Sequence, residues 1–311
     1  MARSKLVSLD EAVACVGDGM SMTAGGFAHS HQPLGFFRAL MRTDVKDLTI
    51  MGVAECWVAE WLAAAGMLRR AYFSNFMFEG FGRCRRFSEG IENGEIETED
   101  HSHFGMVMRF AAAGLGLPFM PMRSQAGTDV MNVAGFEEPS SKAQMFHSPF
   151  DDQIVSLVSP LKPDIAVIHA ARADELGNVE LYGTTSVIEE QVRAASTVIV
   201  TVEEIISTDE IRRNPQATLI PGLMVDKLVH LPYGAFPLGI YGYYEYDREA
   251  LAEYYEASRT RETTQAWLRA WVHGIASHGD YLDAHGADRL LALRTDPHLG
   301  YRYVPPEGAA K

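Results

Sequence analysis

Short apolar runs alternate with stretches of helical spacing from near the start of the chain to Val202, and this alternation limits the fold more than any other feature. Ser8 to Val16 has helical spacing, Met20 to Ala24 reads as a short strand running into Gly25-Gly26, and Pro33 to Met41 resumes helical spacing. Leu48 to Val53 is a second strand, Cys56 to Ala65 a helix closed near Gly66, and Arg70 to Phe76 a third strand. A helix near Phe104 to Leu115, strands at Phe119 to Arg123 and Asp164 to Ala170, a helix at Ser186 to Ala195 and the β-branched strand Thr197 to Val202 continue the series. Strands separated by helices predict an α/β fold, an open and largely parallel sheet with helices on both faces.

Beyond Val202 the pattern changes twice. In Thr218 to Asp247, Ile220-Pro221-Gly222 bends the backbone where proline fixes φ and glycine tolerates positive φ; Val225 to Leu231 reads as a strand, and Pro232-Tyr233-Gly234-Ala235 turns again. From Asp247 to Ile275 the spacing is helical, with stripes of Leu251, Tyr254, Tyr255, Trp267, Leu268 and Trp271, and Ala287 to Leu293 adds a short helix. These stripes read as core. The expected division is therefore an α/β domain over residues 1–246 and a C-terminal helical extension over 247–311 packed on the same domain, with a short tail from Pro305 to Lys311.

With 47% apolar and 22% charged residues in a chain of 311, a large core is available. The formal charge of −14 opposes nucleic-acid backbones and anionic membranes as partners, and the one basic cluster, Arg83 with Arg85 and Arg86, is short. No apolar run approaches the roughly 20 residues of a membrane span, and the N-terminus lacks a signal-type apolar segment, so a cytoplasmic location is expected. Cys15, Cys56 and Cys84 lie far apart without CxxC spacing, which predicts reduced, unpaired thiols.

Gly25 and Gly26 follow a strand and precede a helix, where backbone N–H groups can approach a ligand at the carboxyl end of a sheet. No GxGxxG or GxxxxGK[ST] pattern is present, so neither a dinucleotide nor a nucleoside triphosphate is called for. Two His-Ser-His triplets, His29-Ser30-His31 and His101-Ser102-His103, each point two imidazoles to one face in extended backbone. Four imidazoles converge if those loops meet, but no carboxylate or cysteine completes a ligand spacing, and no metal is expected.

Several collinear segments resemble the α-subunits of class I CoA-transferases: AGGFAHSHQP (Ala24 to Pro33), Glu97 to Ser124, HAARADELGNVELYG (His169 to Gly183, hairpin-like), VIVTVEEIISTDEIRR (Val198 to Arg213) and GADRLLALRTDPHLGY (Gly286 to Tyr301). The resemblance runs from about Leu6 to Tyr303. It implies acyl-CoA and a small carboxylic acid as substrates, coenzyme A as a substrate with no further cofactor, and a glutamate nucleophile on a β-type partner subunit in a heterodimer or heterotetramer. It further implies an acyl and pantetheine pocket formed by Gly25, Gly26, Phe27, His29, His31, Ser74 and Asn75, with His103 as a catalytic candidate.

Two positions depart from that pattern. His31 stands where related α-chains carry arginine, which opposes a permanent clamp on a second substrate carboxylate. His103 falls where a related steroid ring-cleaving hydrolase carries a carboxylate, so it can serve as acid or base or hydrogen-bond a carbonyl. Acyl-CoA hydrolysis, decarboxylation or C–C cleavage on the same scaffold therefore stays open, as does a non-catalytic subunit that completes its partner's site. Glu92-Asn93-Gly94 matches a tripeptide found around the nucleophile in some β-type halves, but here it reads as a helix end. Glu203 and Glu204, after a strand, read first as structural.

Overall fold

The computed structural model describes residues 3–133, 135–136, 142–296 and 298–302, so the tail from Pro305 to Lys311 lies outside the described residues. Seven strands run parallel in the spatial order Lys227–His230, Thr197–Ile206, Ile165–Asp174, Ser21–Ala24, Leu48–Gly52, Leu68–Phe73 and Glu97–Asp100. Met22 sits between Ile165 and Ile50 in the register. Ile165–Asp174 outruns its neighbour Ser21–Ala24, and its far end pairs antiparallel with Val179–Glu180, setting Arg172 opposite Glu180. That is the expected hairpin. Thr218–Ile220 pairs in turn with Val179–Glu180.

Side chains alternate across a sheet, and both faces here are apolar. Ile165 and Val167 join one core with Leu34, Phe37, Trp57 and Trp61, while Ala166, Ile168 and Ala170 join another with Ile188 and Val192. Helices Leu9–Val13, Leu34–Leu40 and Cys56–Ala64 contribute to the first core. Helix Ile188–Ala194 contributes to the second, and helix His103–Gly114 packs against it. The first helix begins where the sequence places it because Ser8 and Glu11 form a reciprocal capping box.

Three readings differ from the structure. The strand expected at Phe119 to Arg123 shrinks to Met120–Met122 and leaves the main sheet for a small antiparallel one with Ile154–Val158 and Ala143–His147. Pro121 has no N–H to donate, which suits an edge strand pairing on one side only. Glu97–Asp100, too polar to read as a strand, closes the parallel sheet beside Leu68–Phe73, where charge on an edge strand discourages further pairing. Finally, Gly222 is required by close approach and not by positive φ, since a Cβ there would lie 2.6 Å from the Leu176 carbonyl oxygen.

The aromatic stripes of the last quarter are core. Helices Arg248–Ala257 and Arg261–Leu268, the latter continuing into a π-helical turn at Arg269–His273, bring Leu251, Tyr254, Leu268 and Val272 into the core beside the sheet. The Tyr254 ring lies 5.9 Å from Trp57, 6.1 Å from Trp61 and 4.8 Å from Trp267. Its hydroxyl donates to Glu60, a fully buried carboxyl that also accepts the backbone N–H groups of Arg86 and Phe87 at 3.0 and 2.9 Å. Glu60 thus supplies the cap that helix Arg85–Glu92 lacks at Cys84. A further helix, His278–His285, which the sequence pattern did not reveal, precedes the expected one, found at Ala287–Ala292.

Candidate active site

Because the seven strands are parallel, the loops after their carboxyl ends gather on one rim. Along it lie Gly25-Gly26, Val53 to Glu55, Ser74-Asn75 and His101 to His103; Glu203 and Glu204, expected after a strand, fall within Thr197–Ile206, just past the level of Val202 where the neighbouring Lys227–His230 ends. At about 4.8 Å per strand, Ser74 is about 10 Å along the rim from the glycine loop. Gly26 has φ +108°, and a Cβ on it would meet the Ser30 carbonyl oxygen at 2.5 Å. The loop closes there through two backbone bonds between Phe27 and Ser30, each 2.9 Å. A Cβ on Gly25 would press on Ile168 at 2.8 Å, so both glycines have packing reasons to be there.

The four triplet histidines go to separate surroundings instead of converging. His29 accepts from Trp57 Nε1 at Nδ1 (3.0 Å) and donates from Nε2 to the Glu79 carbonyl (2.7 Å), leaving a ligand only its ring face. Burial lowers its pKa. His31 is 1% exposed with φ +62°; its Nδ1 bonds to Ser30 Oγ, its ring lies against the Tyr182 backbone, and burial pulls it down to about 4. His101 is buried with Nε2 at 2.9 Å from Glu99 and 2.7 Å from Arg109. Burial, first of all, keeps that ring below its ordinary pKa, with Glu99 acting against it. Among the described residues no group of three His, Cys, Asp or Glu side chains is placed to hold a metal ion.

His103 is the exposed member. It opens helix His103–Gly114, whose N-cap Ser102 accepts from the Gly105 N–H, and its Nδ1 lies 2.8 Å from Ser74 Oγ. Ser74 itself is 2% exposed and donates to the Val53 carbonyl at 3.0 Å. Asn75 follows, exposed at φ +50°, and turns the chain away from the strand end.

Phe27 and His29 line a cavity of about 510 Å³ with Phe81, Tyr244, Tyr246 and Arg248. A second cavity, of about 940 Å³, opens between Arg172, Tyr182, Glu204, Tyr243 and Arg294. Neither is lined by Ser74, Asn75 or His103, which lie on the open rim. Of the residues singled out in the sequence, Phe27 and His29 line an aromatic pocket, Ser74 and His103 pair two strands further along the rim with Asn75 beside them, and Gly25, Gly26 and His31 line neither cavity.

The acidic residues sort clearly. Glu92 ends its helix, exposed and paired with Arg83, and Asn93 and Gly94 (φ +71°) form the helix end. Glu203 is saturated by His169 Nε2 (2.7 Å), the Tyr244 hydroxyl (2.7 Å) and the N–H groups of Tyr233 and Gly234. Glu204 is exposed to the larger cavity. One rim carboxylate was missed: Glu55, 0% exposed, accepts from Val53 N, Ala54 N and Gln191 Nε2. Its signal was a single acid at a strand-to-helix junction inside the apolar run GVAECWVA.

The comparisons with known proteins agree with this architecture. The Coenzyme A transferase family model matches residues 6–231. The A subunit of glutaconate CoA-transferase from Acidaminococcus fermentans is 34% identical over 312 residues, covering 96% of this chain and 97% of that protein. A crystal structure of glutaconate CoA-transferase from that organism aligns with a TM-score of 0.89 over 97% of this chain and 99% of that one, at 33% identity. The A subunit of 3-oxoadipate CoA-transferase from Pseudomonas knackmussii is 32% identical, covering 89% of this chain and 97% of that protein. A variant of the decarboxylase AibA/AibB aligns with a TM-score of 0.73 at 31% identity, over 86% of this chain and all of that one (100%). Since the family match runs from Leu6 to Leu231 and takes in every strand of the parallel sheet, this chain belongs to the coenzyme A transferase family.

Proposed function

We propose that this chain is the α-type subunit of a heteromeric acyl-CoA:carboxylate CoA-transferase of the glutaconate CoA-transferase kind. The observation that carries the reading is the end-to-end match to the glutaconate enzyme's A subunit, C-terminal helices included. The site chemistry supports it. Two rim glutamates, Glu55 and Glu203, have their oxygens engaged by buried donors, and a carboxylate so engaged is a poor nucleophile. A β-type partner supplies the glutamate that attacks the thioester; the CoA thiolate leaves as an acyl anhydride forms, then attacks the glutamyl carbonyl to give an enzyme–CoA thioester with release of the first carboxylate, and the acceptor carboxylate takes CoA by the same two steps in reverse.

On this reading Gly25, Gly26, Phe27, His29 and His31 border the pantetheine and acyl groups, and Ser74, Asn75 and His103 face the thioester from the rim. Residues 247–302 extend the same domain, and the rest of the expected extension lies outside the described residues. Coenzyme A is a substrate, and the described residues hold no helix long and apolar enough to cross a membrane. The cytoplasm is the compartment this reading expects. A buried, neutral His31 offers no fixed charge to a second carboxylate, which favours monocarboxylic acyl groups.

A second reading, acceptor-independent cleavage or decarboxylation of an acyl-CoA, is favoured by the exposed His103 ring and the likeness to a decarboxylase. Co-expression with a β-type subunit, followed by mass spectrometry of an acyl-CoA panel with and without acetate, separates the two. Acceptor-dependent exchange and a borohydride-trappable CoA thioester on the partner are expected. Free CoA, CO₂ or a cleaved acyl chain without acceptor would establish the second reading, and full exchange after changing Ser74, His103 and His31 together would reduce the chain to a scaffold.

A further inference from the structure

Glu55 has no exposure to water, yet its hydrogen bonds lead directly to the exposed ring of His103. Its Oε2 accepts from Val53 N at 2.5 Å and from Ala54 N at 3.0 Å. A trans peptide turns its carbonyl away from its N–H, so holding those two N–H groups turns the Gly52 and Val53 carbonyls the other way. Both meet Ser74: the Gly52 oxygen accepts Ser74 N at 3.3 Å, and the Val53 oxygen accepts Ser74 Oγ at 3.0 Å. Glu55 Oε1 lies 2.9 Å from Gln191 Nε2, whose two protons are shared with Thr23 Oγ1 at 2.8 Å and the Ala24 carbonyl at 2.9 Å. The carboxyl is therefore anchored to the strand that leads into the glycine loop.

Ser74 has one hydroxyl proton, and the Val53 carbonyl can only accept it. The 2.8 Å bond between Ser74 Oγ and His103 Nδ1 must then run from Nδ1–H to the hydroxyl oxygen. In the neutral ring this leaves the lone pair on Nε2. His103 is exposed, so that lone pair is available to a ligand from outside the rim.

We infer that Glu55 is a positioning residue that acts through Val53 and Ser74 to hold His103 in the Nδ1–H form, presenting Nε2 as a hydrogen-bond acceptor or base. The inference rests on the proposed reading only where it places an acyl-CoA opposite Nε2. The tautomer follows from the hydrogen bonds alone.

The test uses ¹⁵N-histidine NMR of the full chain, with His103→Ala to identify the signal, and steady-state kinetics with the β-type subunit. Nδ1–H is expected in the native chain and a mixture of tautomers in both Ser74→Ala and Glu55→Gln. In the variants kcat should fall about tenfold with KM changed less than twofold, the mark of a group used in the transition state. Ser74→Ala leaves Glu55 in place, so it keeps the test open if Glu55→Gln folds poorly. An Nε2–H ring in the native chain, or unchanged tautomer and kcat in folded Glu55→Gln, overturns the inference. Tautomer shifts without acyl-CoA turnover by the native complex would leave the positioning role standing and sink the proposed function instead.

Discussion

A carboxyl group sealed from water holds its proton more tightly in the folded chain than in the unfolded one. Burial pushes Glu55 up to about 7 from an ordinary 4.5, against the opposing hydrogen bonds from Val53, Ala54 and Gln191. The folded state therefore binds more protons between those two pH values, and the contribution of Glu55 to stability is fully present below about pH 4.5 and lost as pH rises through 7. Urea titrations of native and Glu55→Gln protein should diverge across that window, the native chain losing up to about 3 kcal/mol relative to the variant; parallel curves would show that the carboxyl stays ionised. At Gly26, Ala is expected to cost more than about 2 kcal/mol, from positive φ and a Cβ set against the Ser30 carbonyl. A melting curve reads this directly. Gly25-Gly26 and Ser74-Asn75 at the rim were legible because each stands at a strand end in the pattern, and His103 because it belongs to a His-Ser-His triplet. Glu55 was not, because its role depends on Gln191, 136 residues away in sequence.

Among the elements, the parallel strands and their crossover helices could be read from periodicity because burial on both faces makes them continuously apolar, as in LTIMG at Leu48–Gly52. Strands whose reason lies elsewhere in the fold could not. ETED at Glu97–Asp100 is a strand because Leu68–Phe73 offers it an open edge, and Ala143–His147 because Ile154–Val158 pairs with it. The helix Arg85–Glu92 likewise depends on a neighbour for its start. Replacing Glu60 by alanine removes the acceptor from Arg86 N, Phe87 N and the Tyr254 hydroxyl together, and should destabilise the protein by about 3 kcal/mol. Hydrogen exchange should quicken first at Arg86 and Phe87. A loss below about 1 kcal/mol would mean that water reaches those donors.

For the whole molecule, three histidines set the acid limit. Burial lowers His31, His278 and His285 each to about 4, so unfolding takes up protons as pH falls below about 6.5. Their contribution is intact above that pH and lost as pH falls through 4. This opposes the Glu55 effect and outweighs it in number, so urea midpoints should drop between pH 6.5 and 4.5; a flat profile would show that the imidazoles reach water in the folded chain. The C-terminal helices bear on a different question, what the family can vary. Their Tyr254 and Trp267 cover Trp57 and Trp61, yet the match to the family model ends at Leu231, before either residue. A relative without these helices must carry smaller side chains at the two tryptophan positions or roof them with another chain. The size of two residues in one helix thus becomes a marker, readable in any relative's sequence, of how that protein closes its far side.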